Sequence, residues 1–275
     1  MKLYKYLLLA SFSCYCLVYP GSIFQLVTNQ VSADQEWMAT AMLVDVGIVA
    51  LFWLAVNYDF KKAFFSGIAL LGLGFAVETL GETTGFPFGS YVYTDALYPK
   101  LWIVPIAILF AWLMIIVSSY FTARLILSWA KPGASVHTLV IFTTLLTVSS
   151  DLLMEPVAFH VHGYWLWTGD QNSGYYGVPL SNFIAWTVIS YIMVWVLIYV
   201  IRDKKIVFPI EISPLRYHFI PPMLYLMNLM MFASLNISNQ FYLAGIIGIA
   251  VGFPCLFLLL RGVALRLPLK PRNIT

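Results

Sequence analysis

Long apolar stretches alternate with short polar connections along this chain. Apolar windows fall near residues 3–27, 37–57, 62–80, 101–122, 137–157, 182–201, 217–235 and 241–261. Each is close to the ~20 residues that an α-helix needs to cross a bilayer core about 30 Å thick. The pattern predicts an all-α fold: a polytopic integral membrane helix bundle of about eight transmembrane helices, forming a single transmembrane domain over residues 1–275. The first window begins with Lys2 and Lys5, as a signal peptide does. It runs longer than an ordinary signal core and shows no obvious small-residue cleavage site, so a retained anchor helix is expected.

Composition agrees with this pattern. Of 275 residues, 61% are hydrophobic and 10% charged, and the mean hydropathy is +0.85. Soluble domains carry about 25% charged residues, so no separate soluble domain is expected. The net charge of +3 includes no basic run, and a nucleic-acid partner is not expected. Cys14, Cys16 and Cys255 all lie in apolar windows and read as small packing residues, not as disulfides or metal ligands.

Charge placement orients the bundle. With a cytoplasmic N-terminus and eight spans, all but Lys100 of the 15 lysine and arginine residues fall on the cytoplasmic side. They are Lys2, Lys5, Lys61, Lys62, Arg124, Lys131, Arg202, Lys204, Lys205, Arg216, Arg261, Arg266, Lys270 and Arg272. Seven spans would break this agreement with the positive-inside rule. The expectation is therefore a multi-pass protein of the inner or plasma membrane with both termini cytoplasmic. Two long loops, 81–100 and 158–181, then face outward; both are rich in aromatic residues, Gly and Pro.

An internal repeat is visible. A shift of 73 places Glu78 on Asp151 and Glu82 on Glu155; a shift of 74 places Tyr93-Thr94 on Trp167-Thr168 and "WIVPIAILFAW" (102–112) on "YGVPLSNFIAW" (176–186). Each copy reads as a helix ending in two acids, an aromatic outer loop, and a helix opening with Val-Pro. The expected units are roughly 62–122 and 137–201, two parallel hairpins that a pseudo-twofold axis along the membrane normal would bring face to face.

The acids carry the candidate chemistry. Glu78/Glu82 and Asp151/Glu155 are each four apart, which puts each pair on one helix face. Asp45 is a further acid, in the second span. An ionised carboxylate in lipid costs several kcal/mol, and burial with mutual repulsion favours the neutral acid. Protonated carboxyl groups among aromatic rings suit protonation of an alkene to a tertiary carbocation, since ring faces attract cations. Tyr91, Tyr93, Trp102, Trp165, Trp167, Tyr175, Tyr176 and Trp186 lie near the acids in sequence, and Asn182 could orient a water. Asp170 falls in the outer loop and is expected to be solvated. His160 and His162 form an H-x-H pair that would need further converging ligands to hold a metal; no metal and no cofactor are expected. The intramembrane acids also leave open a transporter or proton carrier, although they cluster toward one face.

At these motifs the chain resembles a known family. "ETLGETTGFPFGSYVYT" (78–94), "DLLMEP" (151–156) and "GYYGVPLSNFIAW" (174–186) are similar to the membrane-bound carotenoid hydratases that act on gamma-carotene or bisanhydrobacterioruberin. The resemblance covers roughly residues 70–190. It implies cofactor-independent addition of water to the 1',2' double bond of an acyclic (psi) carotenoid end, giving a tertiary alcohol. The implied partners are a carotenoid, water and membrane lipid. Membrane cyclases also protonate psi ends, so psi-end cyclisation is the neighbouring alternative. The residues themselves suggest Asp151 or Glu155 as proton donor and Glu78 or Glu82 as the base that deprotonates the attacking water. Tyr91, Tyr93, Trp165, Trp167, Tyr175, Tyr176, Asn182 and Trp186 would then line the substrate.

Overall fold

The structure, a computed structural model, describes residues 2–32, 35, 37–169, 174–202 and 217–264. Among the anticipated features, Asp170 and the cations Lys204, Lys205, Arg216, Arg266, Lys270 and Arg272 lie outside the described residues. Among the described residues, eight helices are long and apolar enough to cross a membrane, and the chain is a multi-pass, all-α membrane protein. They are α1 (Lys2–Val27), α2 (Trp37–Asn57), α3 (Phe60–Thr84), α4 (Ile106–Ala130), α5 (Val136–Pro156), α6 (Leu180–Ile201), α7 (Ile220–Ser238) and α8 (Tyr242–Ala264).

Helix boundaries depart from the hydropathy windows where caps decide them. At the start of α3, the Asp59 side chain accepts the Lys62 N–H. Its end lies past the apolar window, at Gly85, whose φ of 75° closes the helix with an N–H bond to the Gly81 carbonyl. A left-handed residue at this position is glycine's usual role. Both Glu78 and Glu82 therefore lie inside the last turns of α3. The start of α4 falls later than its window. Residues 100–105 instead form a tight hairpin, β2 (Lys100–Leu101) against β3 (Val104–Pro105). Pro105, which has no N–H to leave unsatisfied, then opens the helix. Pro156 ends α5, and the chain continues as one wider π turn, Val157–Val161.

The two aromatic loops meet at one end of the bundle. There β1 (Tyr91–Tyr93) pairs antiparallel with β4 (Trp165–Trp167), with Val92 opposite Leu166. Main-chain bonds extend the pairing on both sides, from Thr94 N–H to the Tyr164 carbonyl and from Thr168 N–H to the Ser90 carbonyl. Ser181 adds a bond from its hydroxyl to the Phe88 carbonyl. This small ribbon closes the end of the bundle over the last turns of α3 and α5.

Helix α4 forms the centre of the bundle: 83% of its apolar window is buried, against 22% for α1. Trp112, Leu113, Ile116 and Tyr120 on α4 are essentially inaccessible. The outermost helix is nevertheless docked by polar contacts. Ser11 donates to the Asp45 carboxylate on α2, and the Tyr19 hydroxyl donates to the Met227 carbonyl on α7 at 2.5 Å. Asp45 is thus tied to α1, far from the other acids in chain order. Cations cluster at the end opposite the ribbon, where Lys5 sits over the Tyr217 ring and Arg124 donates to the Tyr58 hydroxyl.

The crossing of α2 and α4 is close enough that a methyl group does not fit at Gly47. A Cβ there would lie 2.6 Å from Phe110 Cδ1 and 3.0 Å from the Phe110 carbonyl oxygen. Gly47→Val is expected to destabilise the protein by about 1–3 kcal/mol, the usual range for overpacking. The detergent-solubilised variant should show a lower Tm. Gly72→Ala, where nothing lies within 4 Å of the added carbon, should leave the Tm unchanged.

Candidate active site

The last turns of α3 and α5 each point one carboxylate at the ribbon that covers them. Glu78 is 5% exposed and receives three donors. The hydroxyls of Tyr91 and Tyr93 each donate to Oε2 at 2.7 Å, and the Trp112 indole N–H donates to Oε1 at 2.7 Å. The alternation of a β-strand places Tyr91 and Tyr93 on the same, inward face of β1, with Val92 turned out. Burial, and then the nearby Glu78 carboxylate, push both phenols far above their ordinary range. They stay neutral donors at any working pH.

Glu155 is held in a parallel way. The indole N–H groups of Trp165 and Trp167 donate to its Oε2 at 3.1 and 3.3 Å, and the Asn182 amide donates to Oε1 at 2.9 Å. Trp165 and Trp167 share the inward face of β4. The same Asn182 nitrogen also donates to Asp151 Oδ2 at 3.2 Å. Asp151 is fully buried, and its Oδ1 has no hydrogen-bond partner among the described residues. Indole N–H groups can only donate, so both glutamates are placed as acceptors in a network whose donors, Asn182 apart, are aromatic side chains.

Glu78 and Glu155 line one chamber. Its wall also includes Tyr91, Tyr93, Trp112, Trp165, Trp167, Asn182 and Trp186, with Phe88, Leu97, Ile108, Met154 and Ala158 supplying apolar surface. Its volume is about 60 Å³, in a measure where one water needs roughly 10–15 Å³. A few waters or the tip of a chain fit; a whole polyene does not. Trp112 and Trp186 stack across the chamber wall with ring centroids 3.8 Å apart and planes 17° from parallel.

Other anticipated residues stand outside this chamber. Glu82 accepts the Tyr93 main-chain N–H at 3.0 Å and so braces β1 from behind. Asp151 sits behind Glu155. The Tyr175 hydroxyl donates to the Leu152 carbonyl, and the Tyr176 hydroxyl accepts the Leu243 N–H, joining the loop to α5 and α8. Trp102, at the tip of the β2–β3 hairpin, is 70% exposed. His160 bonds the Tyr176 carbonyl, whereas His162 stacks on Tyr164, so the two rings serve different partners. Burial lowers the His162 pKa, which keeps that ring neutral. Trp112 was not singled out from the sequence, although the 74-residue shift had already matched it to Trp186.

Several contacts join positions that are 74 apart in sequence. Val92 faces Leu166 and Trp112 stacks on Trp186. Pro105 and Pro179 both cap the helices that follow them. Trp102 and Tyr176 share an unusual positive φ, 57° and 52°.

Three comparisons with known proteins bear on this site. The profile of a family described as "Carotenoid biosynthesis protein" matches residues 37–254, a stretch holding every residue of the chamber. The bisanhydrobacterioruberin hydratase of Haloarcula japonica is 29% identical over 125 residues, which is 44% of this chain and 41% of that protein. The alignment therefore spans well under half the length of that relative. No solved structure matches this chain. With most of its length matched, and with the paired acids and their aromatic clamps inside the match, the chain belongs to the carotenoid biosynthesis protein family.

Proposed function

We propose that this protein is a hydratase of carotenoid ends. It would add water to the 1',2' double bond of an acyclic (psi) end, by protonation followed by capture of the cation. The observation that carries this reading is the convergence of Glu78 and Glu155 on one small, aromatic-lined chamber, each with its carboxylate held by three donors. The similarity to a protein named as a bisanhydrobacterioruberin hydratase supports the same reaction class.

In this reading Glu155, in its acid form, gives its proton to the less substituted carbon of the terminal double bond. The π electrons form the new C–H bond and leave a tertiary cation on the neighbouring carbon. The stacked Trp112 and Trp186 and the rings of Trp165 and Trp167 border the chamber, and their faces stabilise positive charge. Water attacks the cation through its oxygen and forms the C–O bond. Glu78 takes the proton that this water releases, so atoms and charge balance, and proton return from Glu78 to Glu155 resets the pair. Asp151, bonded to the same Asn182 amide as Glu155, helps to fix the orientation of that amide. The dry wall keeps bulk water from the cation. Two further proposals accompany this. The chamber belongs to a duplicated hairpin, units 62–122 and 137–201, whose axis passes between Val92 and Leu166. Its end of the bundle faces away from the cytoplasm, because the cations cluster at the other end.

General acid–base assistance is worth about 10²–10⁴-fold, so Glu155→Gln should lower hydrated product by at least about 10²-fold. The readout is mass spectrometry of pigments from a host that makes acyclic carotenoids. Undiminished product would reject the assignment, and a new pigment of unchanged mass would indicate cyclisation instead. Paired removal of the phenols, Tyr91→Phe with Tyr93→Phe, deletes two of the three donors to Glu78. Product formation should fall by about tenfold or more, since a hydrogen bond to a charged group contributes roughly 1.5–3 kcal/mol. Trp102→Ala, at an exposed tip, should leave the pigment profile unchanged.

A further inference from the structure

A second, larger chamber lies beside the first, between α1, α2 and α7. Its volume is about 360 Å³ in the same measure. It shares Leu43, Tyr164 and Phe232 with the acid chamber, so these three side chains stand between the two spaces. Along α1 its lining runs from Tyr15 to Leu26 and along α2 from Met38 to Val46. At 1.5 Å per residue these stretches give the chamber a length of about 12–17 Å. It can hold part of a long chain, and Gln25, Asn29 and Gln35 add polar groups to its wall.

The lining is not purely apolar. Met38, Met42, Met114 and Met231 supply adaptable surface of the kind methionine offers. Among them stands Asn228 on α7. It is only 7% exposed and lines this chamber. An amide on a mostly apolar wall offers both a donor and an acceptor to whatever fills the space. A ligand atom that accepts or donates a hydrogen bond would engage that amide, and a plain hydrocarbon would not.

We infer that this second chamber holds the isoprenoid chain of the substrate behind its reacting end, and that it selects a chain bearing an oxygen function, received by the Asn228 amide. The inference rests on the proposed hydration, which puts the reacting tip in the acid chamber; a chamber of about 60 Å³ leaves the rest of the chain to be housed elsewhere. It also gives α1 a direct task. This helix lies outside the matched family region of 37–254 yet supplies Tyr15, Ser22, Gln25 and Leu26 to the wall. Chain selection is thereby set in part by a segment that the family profile does not match.

The test is retention of pigment by the purified full-length protein, read separately from turnover. The protein, purified from a host without carotenoids, is incubated with acyclic carotenoids whose ends are saturated and therefore cannot be hydrated, one hydroxylated and one not, and the retained pigments are quantified. The wild type should retain the hydroxylated pigment preferentially, and Trp102→Ala, at the exposed hairpin tip, should retain as much as the wild type. Asn228→Leu, close in volume, should keep its Tm and lose the preference. Met231→Trp and Ala39→Trp, which fill the chamber from opposite walls, should each lower retention by about tenfold, a change of about 1.4 kcal/mol. Unchanged retention in a filling variant that keeps its Tm, an unchanged preference in Asn228→Leu, or a wild type that carries only phospholipid or detergent would each overturn the inference. A wild type that forms no hydrated product from an acyclic carotenoid would sink the hydratase reading alone, because retention is measured without turnover.

Discussion

A carboxylate inside a membrane protein has to be met by hydrogen-bond donors that the protein itself supplies. That constraint organises this structure. Glu78 and Glu155 each take three donors, and five of the six are aromatic side chains. Four of those five come from two three-residue strands, which pair with each other and with little else. The ribbon is thus neither decoration nor a mere interfacial belt. It is the means by which a loop outside the bundle fixes acids within it. Because β-strand side chains alternate, one short pairing turns four rings inward at once and leaves Val92 and Leu166 outside.

The two halves solve the same problem with different chemistry. On α3 the donors from the ribbon are phenols; on α5 they are indoles. A phenol carries its hydroxyl at the far tip of the ring, whereas an indole carries its N–H on the flank. Tyr91 and Tyr93 accordingly reach Glu78, one helical turn farther from the loop than Glu82, while Trp165 and Trp167 reach Glu155 near the end of α5. The positions matched by the 73-residue shift therefore differ in their surroundings. Glu78 lies in the chamber where its counterpart Asp151 lies behind it; Glu82 stands behind β1 where its counterpart Glu155 faces the chamber. Two unlike acid environments facing one cavity are what an acid and a base in a single reaction need.

The dimensions of the two cavities also bear on carotenoid biosynthesis. The acid chamber is too small for more than the tip of a chain, and its rigidity comes from stacked and clamped rings. The chamber beside it is larger, lined by methionines, and walled by the least buried helix of the bundle. In the proposed reading, chemistry on a reactive cation calls for a tight, preorganised site, while the long chain behind the reacting end calls for an adaptable one. The two cavities would keep these requirements apart, with Leu43, Tyr164 and Phe232 between them.

Hydropathy alone determined the number of helices and their approximate limits, because the energy of crossing a bilayer depends on the local run of apolar residues and on nothing distant. The four-residue spacing of the acids was likewise legible, since helix periodicity puts i and i+4 on one face. The start of α4 was not, because the apolar residues 101–105 are diverted into a hairpin by local turn geometry and Pro105. Nor could the sequence tell which acid of each pair faces the chamber, that Tyr175 and Tyr176 tie the loop to α5 and α8, or that Trp112 belongs to the site. Those facts depend on which donors reach which oxygens across the bundle. Only the pairing of β1 with β4 and the packing of α4 against α3 and α6 decide that, since hydrogen bonds between distant segments leave no periodic mark on the chain.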